Sequence, residues 1–176
     1  SQVLTFMNTL RKFITYYSPY KTVFFIDLLC AAFISIVDLA YPQILRVLTN
    51  TLFTKDSSLI LHALPFIAAG LLFMYLIQSL CKYYVSYQGH MMGACMERDM
   101  RRQLFDHYEK LSFSYYSKNN SGQMMSKLVS DLFDIAEFAH HGPENLFISV
   151  VKIIGSFIFL FLINARLALP LAIIVL

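Results

Sequence analysis

Charge is scarce in this chain. Asp, Glu, Lys and Arg together make up 14% of its 176 residues, against 57% hydrophobic, whereas soluble domains average about 25% charged. That balance excludes an ordinary soluble domain and predicts a membrane protein. Cysteine is sparse too: Cys30, Cys81 and Cys95 stand far apart with no CxxC or Cys/His cluster, which argues against a disulfide framework or a zinc site and leaves them as small packing residues. There is no lysine-rich tract, and the net charge is only +3, so nothing points to nucleic acid. No short apolar stretch with a small-residue cleavage site stands near the start, and no signal peptide is predicted. None of the six glycines begins a GxxxxGKS or GxxxxGKT loop, so the chain carries no phosphate cradle of that type. Internal repeats and low-complexity tracts are also missing.

What is abundant is apolar helix. A bilayer core of about 30 Å takes roughly 20 mostly apolar residues, and three segments supply them. The first covers 22–53, interrupted by Asp27, Asp38, Pro42 and Arg46. The second begins near residue 59 and stays apolar to about residue 80, and the third lies within 146–163, with Lys152 inside it. A further apolar run over 167–176 is too short to cross a bilayer, so the sequence reads as a piece of a larger protein. Ahead of the first span, Leu4, Met7, Leu10, Ile14 and Tyr17 recur every three or four residues, with Arg11 and Lys12 off the stripe. This pattern predicts an amphipathic helix over 4–17 lying in the membrane interface.

Basic residues set the orientation. Arg11, Lys12 and Lys21 precede the first span, Lys55 alone lies in the first loop, and Arg98, Arg101, Arg102, Lys110, Lys118 and Lys127 fall in the second. The positive-inside rule then places the N-terminus and residues 88–145 in the cytoplasm. The second loop is itself helical in pattern. Met96, Met100, Leu104, Tyr108 and Leu111 repeat at helical spacing, and no proline occurs between Pro65 and Pro143. A helix over 59–111 would be on the order of 80 Å long, far more than the hydrocarbon needs. After a polar turn over 112–120, Met125, Leu128, Val129, Leu132, Ala136 and Ala139 form a returning stripe through a third span that runs over 121–163. Asn120 with Gln123 three residues on resembles a capping box that starts it.

These segments carry a resemblance. LRKFITYYSPYK, then AYPQILRVLTN, then ERDMRRQLFDHYEKLSFSYYSKNNSGQMMSKLVSDLFDI and LINARLAL resemble the N-terminal part of the transmembrane domain of ATP-binding cassette (ABC) exporters. The resemblance implies an all-α membrane fold whose long transmembrane helices extend into the cytoplasm: an elbow helix over 4–17, spans over 22–53, 59–111 and 121–163, and the start of a fourth span over 167–176. It implies that Phe113, Ser114, Tyr115, Tyr116, Ser117 and Lys118 form a coupling helix against nucleotide-binding domains. It also implies a second transmembrane domain, as a homo- or heterodimer, and ATP with Mg bound outside this chain. The function implied is ATP-driven export of a lipid, drug or peptide-like substrate by alternating access, with the full-length protein an ATPase and no catalytic residue here. A secondary transporter or channel, or a scaffold whose cytoplasmic hairpin docks a soluble partner, are the rival readings.

Within the bilayer, Asp38 and Lys152 sit at similar inferred depths. A charge there is costly unless paired or facing water, so they form either an ion pair or part of a water-facing path. Arg46 is placed near the outer surface, free to snorkel, and Pro42 is expected to kink the first span. Gly89 and Gly93 form a GxxxG that allows close helix contact. His140, His141 and Glu144 are not read as a metal site, because adjacent helical histidines diverge by about 100°. No Ser/His/Asp set has a recognisable nucleophile setting.

Overall fold

Apolar residues at helical spacing produce helices, and among the described residues no strand interrupts them. The computed structural model describes residues 2–54 and 57–175. The helices are α1 (Gln2–Thr15), α2 (Lys21–Thr54), α3 (Ser57–Tyr108), α4 (Phe113–Lys118), α5 (Ser121–Ser126) and α6 (Leu132–Val175). A 3₁₀ turn at Ser18–Tyr20 joins α1 to α2, and a π turn at Lys127–Asp131 joins α5 to α6. Lys55 and the last residue of the apolar run over 167–176 lie outside the described residues. Among the described residues, three helical stretches are long and apolar enough to cross a membrane. α6 is divided at Asn164, whose extended backbone (φ −159°, ψ 98°) separates two helical segments, and the Asn164 side chain accepts the Arg166 N–H at 3.0 Å. Such a bond restarts a helix by capping one of its orphan amides.

The chain forms two compact units. One comprises residues 1–27 with Ser86–Glu144, the other Leu28–Val85 with 145–176.

In the first unit, Met92, Met96 and Met100 of α3 pack with Leu132 and Ala139 of α6, and Phe13, Tyr16, Tyr17, Tyr20, Val23, Phe24 and Leu104 close over them. Close approach of α3 and α6 depends on Gly89. A methyl group there would fall inside the His140 ring. Of the expected returning stripe, Leu128, Leu132, Ala136 and Ala139 are buried, but Met125 and Val129 are exposed and Met124 is buried instead. The π turn is the reason. A spacing of four residues drifts around an α-helix of 3.6 residues per turn, and one widened turn brings the buried positions back onto one face. The start of the returning helix is capped by Asn120, whose Oδ1 accepts the Gly122 N–H at 2.8 Å. On α1 the stripe Leu4, Met7, Leu10 and Ile14 remains exposed, as an interfacial helix requires.

The second unit inverts the usual sorting. Phe66, Leu72, Phe73 and Leu162 are exposed, while Ser35 and Gln78 are at most 2% exposed. In hydrocarbon, apolar side chains gain nothing by turning inward, and polar groups must find protein partners. Ser35 Oγ donates to the Ala31 carbonyl at 2.9 Å, one turn back on its own helix.

Candidate functional site

At the tip, Ser112 stands ahead of α4 in an extended conformation and none of the α4 residues is buried. Phe113 is 87% exposed, whereas Tyr115 and Tyr116 are 39% and 38% exposed. The tyrosines are held: their rings meet edge to face with centroids 6.1 Å apart, and Tyr116 donates its hydroxyl to the Tyr108 carbonyl at 2.5 Å. Ser117 Oγ donates to the Ser114 carbonyl, and the Asn119 side-chain amide to the Tyr115 carbonyl. Lys118 closes the helix, where a cation complements the terminal carbonyls. The tip therefore presents one unsupported aromatic ring, Phe113, on a turn rigidified by its neighbours.

Behind the tip the two arms are fastened by contacts that spacing alone does not reveal. Arg101 of α3 donates Nε to the Leu128 carbonyl at 3.0 Å, at the π turn where the helix wall opens, and is itself held by Glu97 one turn back. Three tyrosines of the N-terminal segment tie it to the arms. Tyr16 donates to Gln103 (2.7 Å), Tyr17 to the Ala139 carbonyl (2.6 Å) and Tyr20 to Asp99 (2.8 Å). Bending a hairpin braced this way would break bonds from three elements together.

In the second unit, Lys152 Nζ donates to Asp38 Oδ2 at 2.8 Å, and Gln78 Nε2 donates to Asp38 Oδ1 at 2.8 Å while also reaching the Ile34 carbonyl. Gln78 was not among the residues singled out from sequence, since an isolated amide in an apolar run carries no pattern. The pair side chains are 42% and 39% exposed, so Asp38 and Lys152 are joined and also accessible on one side. Arg46 is exposed. α2 passes through Pro42 as one unbroken helix, although proline lacks the amide hydrogen that would bond the Asp38 carbonyl. An apolar groove of about 440 Å³ runs beside this region between Leu39 and Ala40 of α2 and Val151, Ile154 and Ile158 of α6.

The paired charges predict a specific double-mutant result. Lys152→Met leaves Asp38 with Gln78 alone, and Asp38→Asn leaves the ammonium without its carboxylate. Removing both should cost less than the sum of the single losses by about 0.6 kcal/mol, and by no more than about 1.7 kcal/mol. Thermal unfolding of the four proteins in detergent measures this coupling, and strict additivity would dissolve the pair as an energetic unit.

His140 and His141 do not diverge as adjacent positions on a helix suggest. Their ring centroids are 4.3 Å apart, and His90 of α3 lies against both, at 4.8 and 5.2 Å. The Cα–Cβ bonds point apart, but side-chain torsions swing the rings toward the same space beside α3.

The family model for the ABC transporter transmembrane region matches residues 24–176. YwjA of Bacillus subtilis (strain 168), an uncharacterised ABC transporter ATP-binding protein, is 45% identical over 161 residues, covering 91% of this chain and 27% of the relative. The ATP-dependent lipid A-core flippase of Idiomarina loihiensis is 28% identical over 131 residues, 74% of this chain and 22% of the flippase. YknU of Bacillus subtilis, another uncharacterised ABC transporter ATP-binding protein, is 25% identical over 140 residues, 80% of this chain and 23% of that protein. The chain thus spans about a quarter of the length of these curated relatives. Long apolar helices without strands among the described residues, and a match running from the first span to the last residue, make this an integral membrane protein of the all-α exporter fold, and the chain belongs to the ABC transporter transmembrane region family.

Proposed function

We propose that this chain is the membrane part of an ATP-driven exporter that moves a lipid, drug or peptide-like substrate by alternating access. The observation that carries the proposal is α4: a six-residue helix with no buried side chain, its aromatic ring 87% exposed at Phe113, on arms fastened by Arg101 and Leu128. An apolar ring held out on a rigid turn suits a contact that receives motion, since truncating such anchors in partner interfaces is costly. The partners are nucleotide-binding domains, which bind ATP and Mg outside this chain, and a second transmembrane domain completing a homo- or heterodimer. ATP binding would draw the nucleotide-binding domains together, α4 would follow, and the braced arms would carry the displacement into the membrane. The Asp38–Lys152 pair, accessible on one side, and the apolar groove near it suit an amphiphilic cargo.

The test uses the full-length protein in proteoliposomes. A labelled lipid or hydrophobic dye should be translocated with Mg-ATP and not with an ion gradient alone. Gradient-driven movement without ATP would favour a secondary transporter instead.

Orientation has its own test. The N-terminus and residues 88–145 are proposed to be cytoplasmic from the distribution of Lys and Arg. Asn119-Asn120-Ser121 is a formal glycosylation sequon on an exposed turn. In a glycosylating membrane system Asn119 should stay unmodified. A glycan on it would reverse the orientation and remove the basis for coupling at α4.

A further inference from the structure

Asp27 of α2 and His140 and Glu144 of α6 are 1%, 3% and 9% exposed. One potential donor atom from each lies within 4.8 Å of the others. His140 Nδ1 is 3.8 Å from Glu144 Oε2, beyond hydrogen-bond distance. Asp27 Oδ1 and His140 Nδ1 are both buried with no hydrogen-bond partner. Leaving such atoms unmatched is costly, typically about 1–3 kcal/mol each. Placing two carboxyl groups together in a buried site adds mutual repulsion when they ionise. Something with positive charge and an affinity for both nitrogen and oxygen would resolve both problems.

We infer that Asp27, His140 and Glu144 form a binding site for a first-row divalent transition-metal ion, which clips the start of α2 to α6. Two carboxylates balance the charge of a dication, and the two orphan atoms become ligands. The imidazole disfavours calcium and magnesium, which take oxygen donors, and the absence of a thiolate from the set disfavours Cu(I). Zinc bonds of about 2.1 Å place tetrahedral donors about 3.4 Å apart, so donors up to 4.8 Å apart must close by as much as about 1.4 Å, within the reach of side-chain rotation. Three protein donors leave a fourth position for water. Gly89 gives His140 its place, since the ring rests directly on the α3 backbone. Exposed His90, 4.8 Å from the His140 ring, and half-buried His141 provide an entry side.

Metal binding at this site does not depend on transport. It is tested on the nucleotide-free, full-length protein with any affinity tag removed, stripped with chelator and then equilibrated with Zn²⁺ or Co²⁺. Wild type should retain about one zinc per chain after gel filtration by elemental analysis, and Co²⁺ should give the visible ligand-field bands of a low-symmetry, four-coordinate site. Zinc should also raise the unfolding temperature, as any ligand of the folded state does. Asp27→Asn, His140→Gln and Glu144→Gln should each weaken binding by about 10–100-fold or more, given that changes even to groups behind the ligands have effects of that size. His90→Ala should leave the stoichiometry intact. No zinc and no cobalt bands in the wild type would overturn the site. Metal that survives Asp27→Asn but is lost in His90→Ala would overturn it as well, placing the ion among His90, His140 and His141. The wild-type cobalt spectrum decides the question even if a variant fails to fold.

Discussion

Replacing Phe113 and Tyr115 by alanine in the full-length protein should leave basal ATP hydrolysis running while transport collapses. Phe113 makes this clean, because its ring is 87% exposed and its removal should disturb no packing within the chain. Tyr115 extends the same surface, and Tyr116 is kept because its hydroxyl holds α4 to the Tyr108 carbonyl. Truncating an aromatic anchor in a well-packed interface costs about 2 kcal/mol or more, equivalent to a roughly 30-fold loss of the engaged state. Hydrolysis itself is spared because the chain carries no P-loop. If α4 is the coupling contact, substrate-stimulated hydrolysis should fall with transport, since stimulation would travel through the same contact in reverse. Paired ATPase and vesicle-uptake measurements at matched expression test this. Unchanged uptake would make α4 an ordinary solvated turn and would withdraw the coupling role.

Met96→Ala should produce the largest loss of stability among single truncations in the first unit. Its side chain is 0% exposed and lies between Met92 and Met100, against Leu132 and Ala139. Deleting a fully buried methionine removes its contacts and leaves a cavity, typically at a cost of about 2–5 kcal/mol. Met125→Ala is the control. That residue is 61% exposed, and surface changes usually stay within about 0.5 kcal/mol. The two variants separate the buried face from the expected one, since the sequence pattern had placed Met125 on the packed stripe. Thermal unfolding in detergent should shift strongly for Met96→Ala and barely for Met125→Ala. Equal shifts would contradict the π-turn register.

The same contrast shows where sequence stops. Composition and 3.6-residue periodicity predict the helices, the apolar runs and the polar turn at 112–120, because hydropathy and backbone hydrogen bonding act over neighbouring residues. Matched depth nominated Asp38 with Lys152, whose charged atoms lie 2.8 Å apart. What periodicity could not supply was rotation and register. With one π turn in the returning arm, Met124 is buried in place of Met125 and Val129 is turned out, whereas spacing rules assume uniform turns. Arg101 meets the Leu128 carbonyl, Tyr20 meets Asp99, and Gln78 meets Asp38 only because helices far apart in the chain pack at particular angles.

The sequence by itself therefore determined an all-helical membrane chain, its apolar segments, its exposed aromatic turn and its family, each of which follows from local pattern or from residues in order. Only the tertiary structure decided which polar atoms converge. Asp27 precedes His140 by more than a hundred positions, and the divergence of His140 from His141 along a helix is undone by side-chain torsions against Gly89 and His90. Convergence of that kind depends on the distance between helix axes and on rotamers chosen by packing, and neither is a property of any single segment.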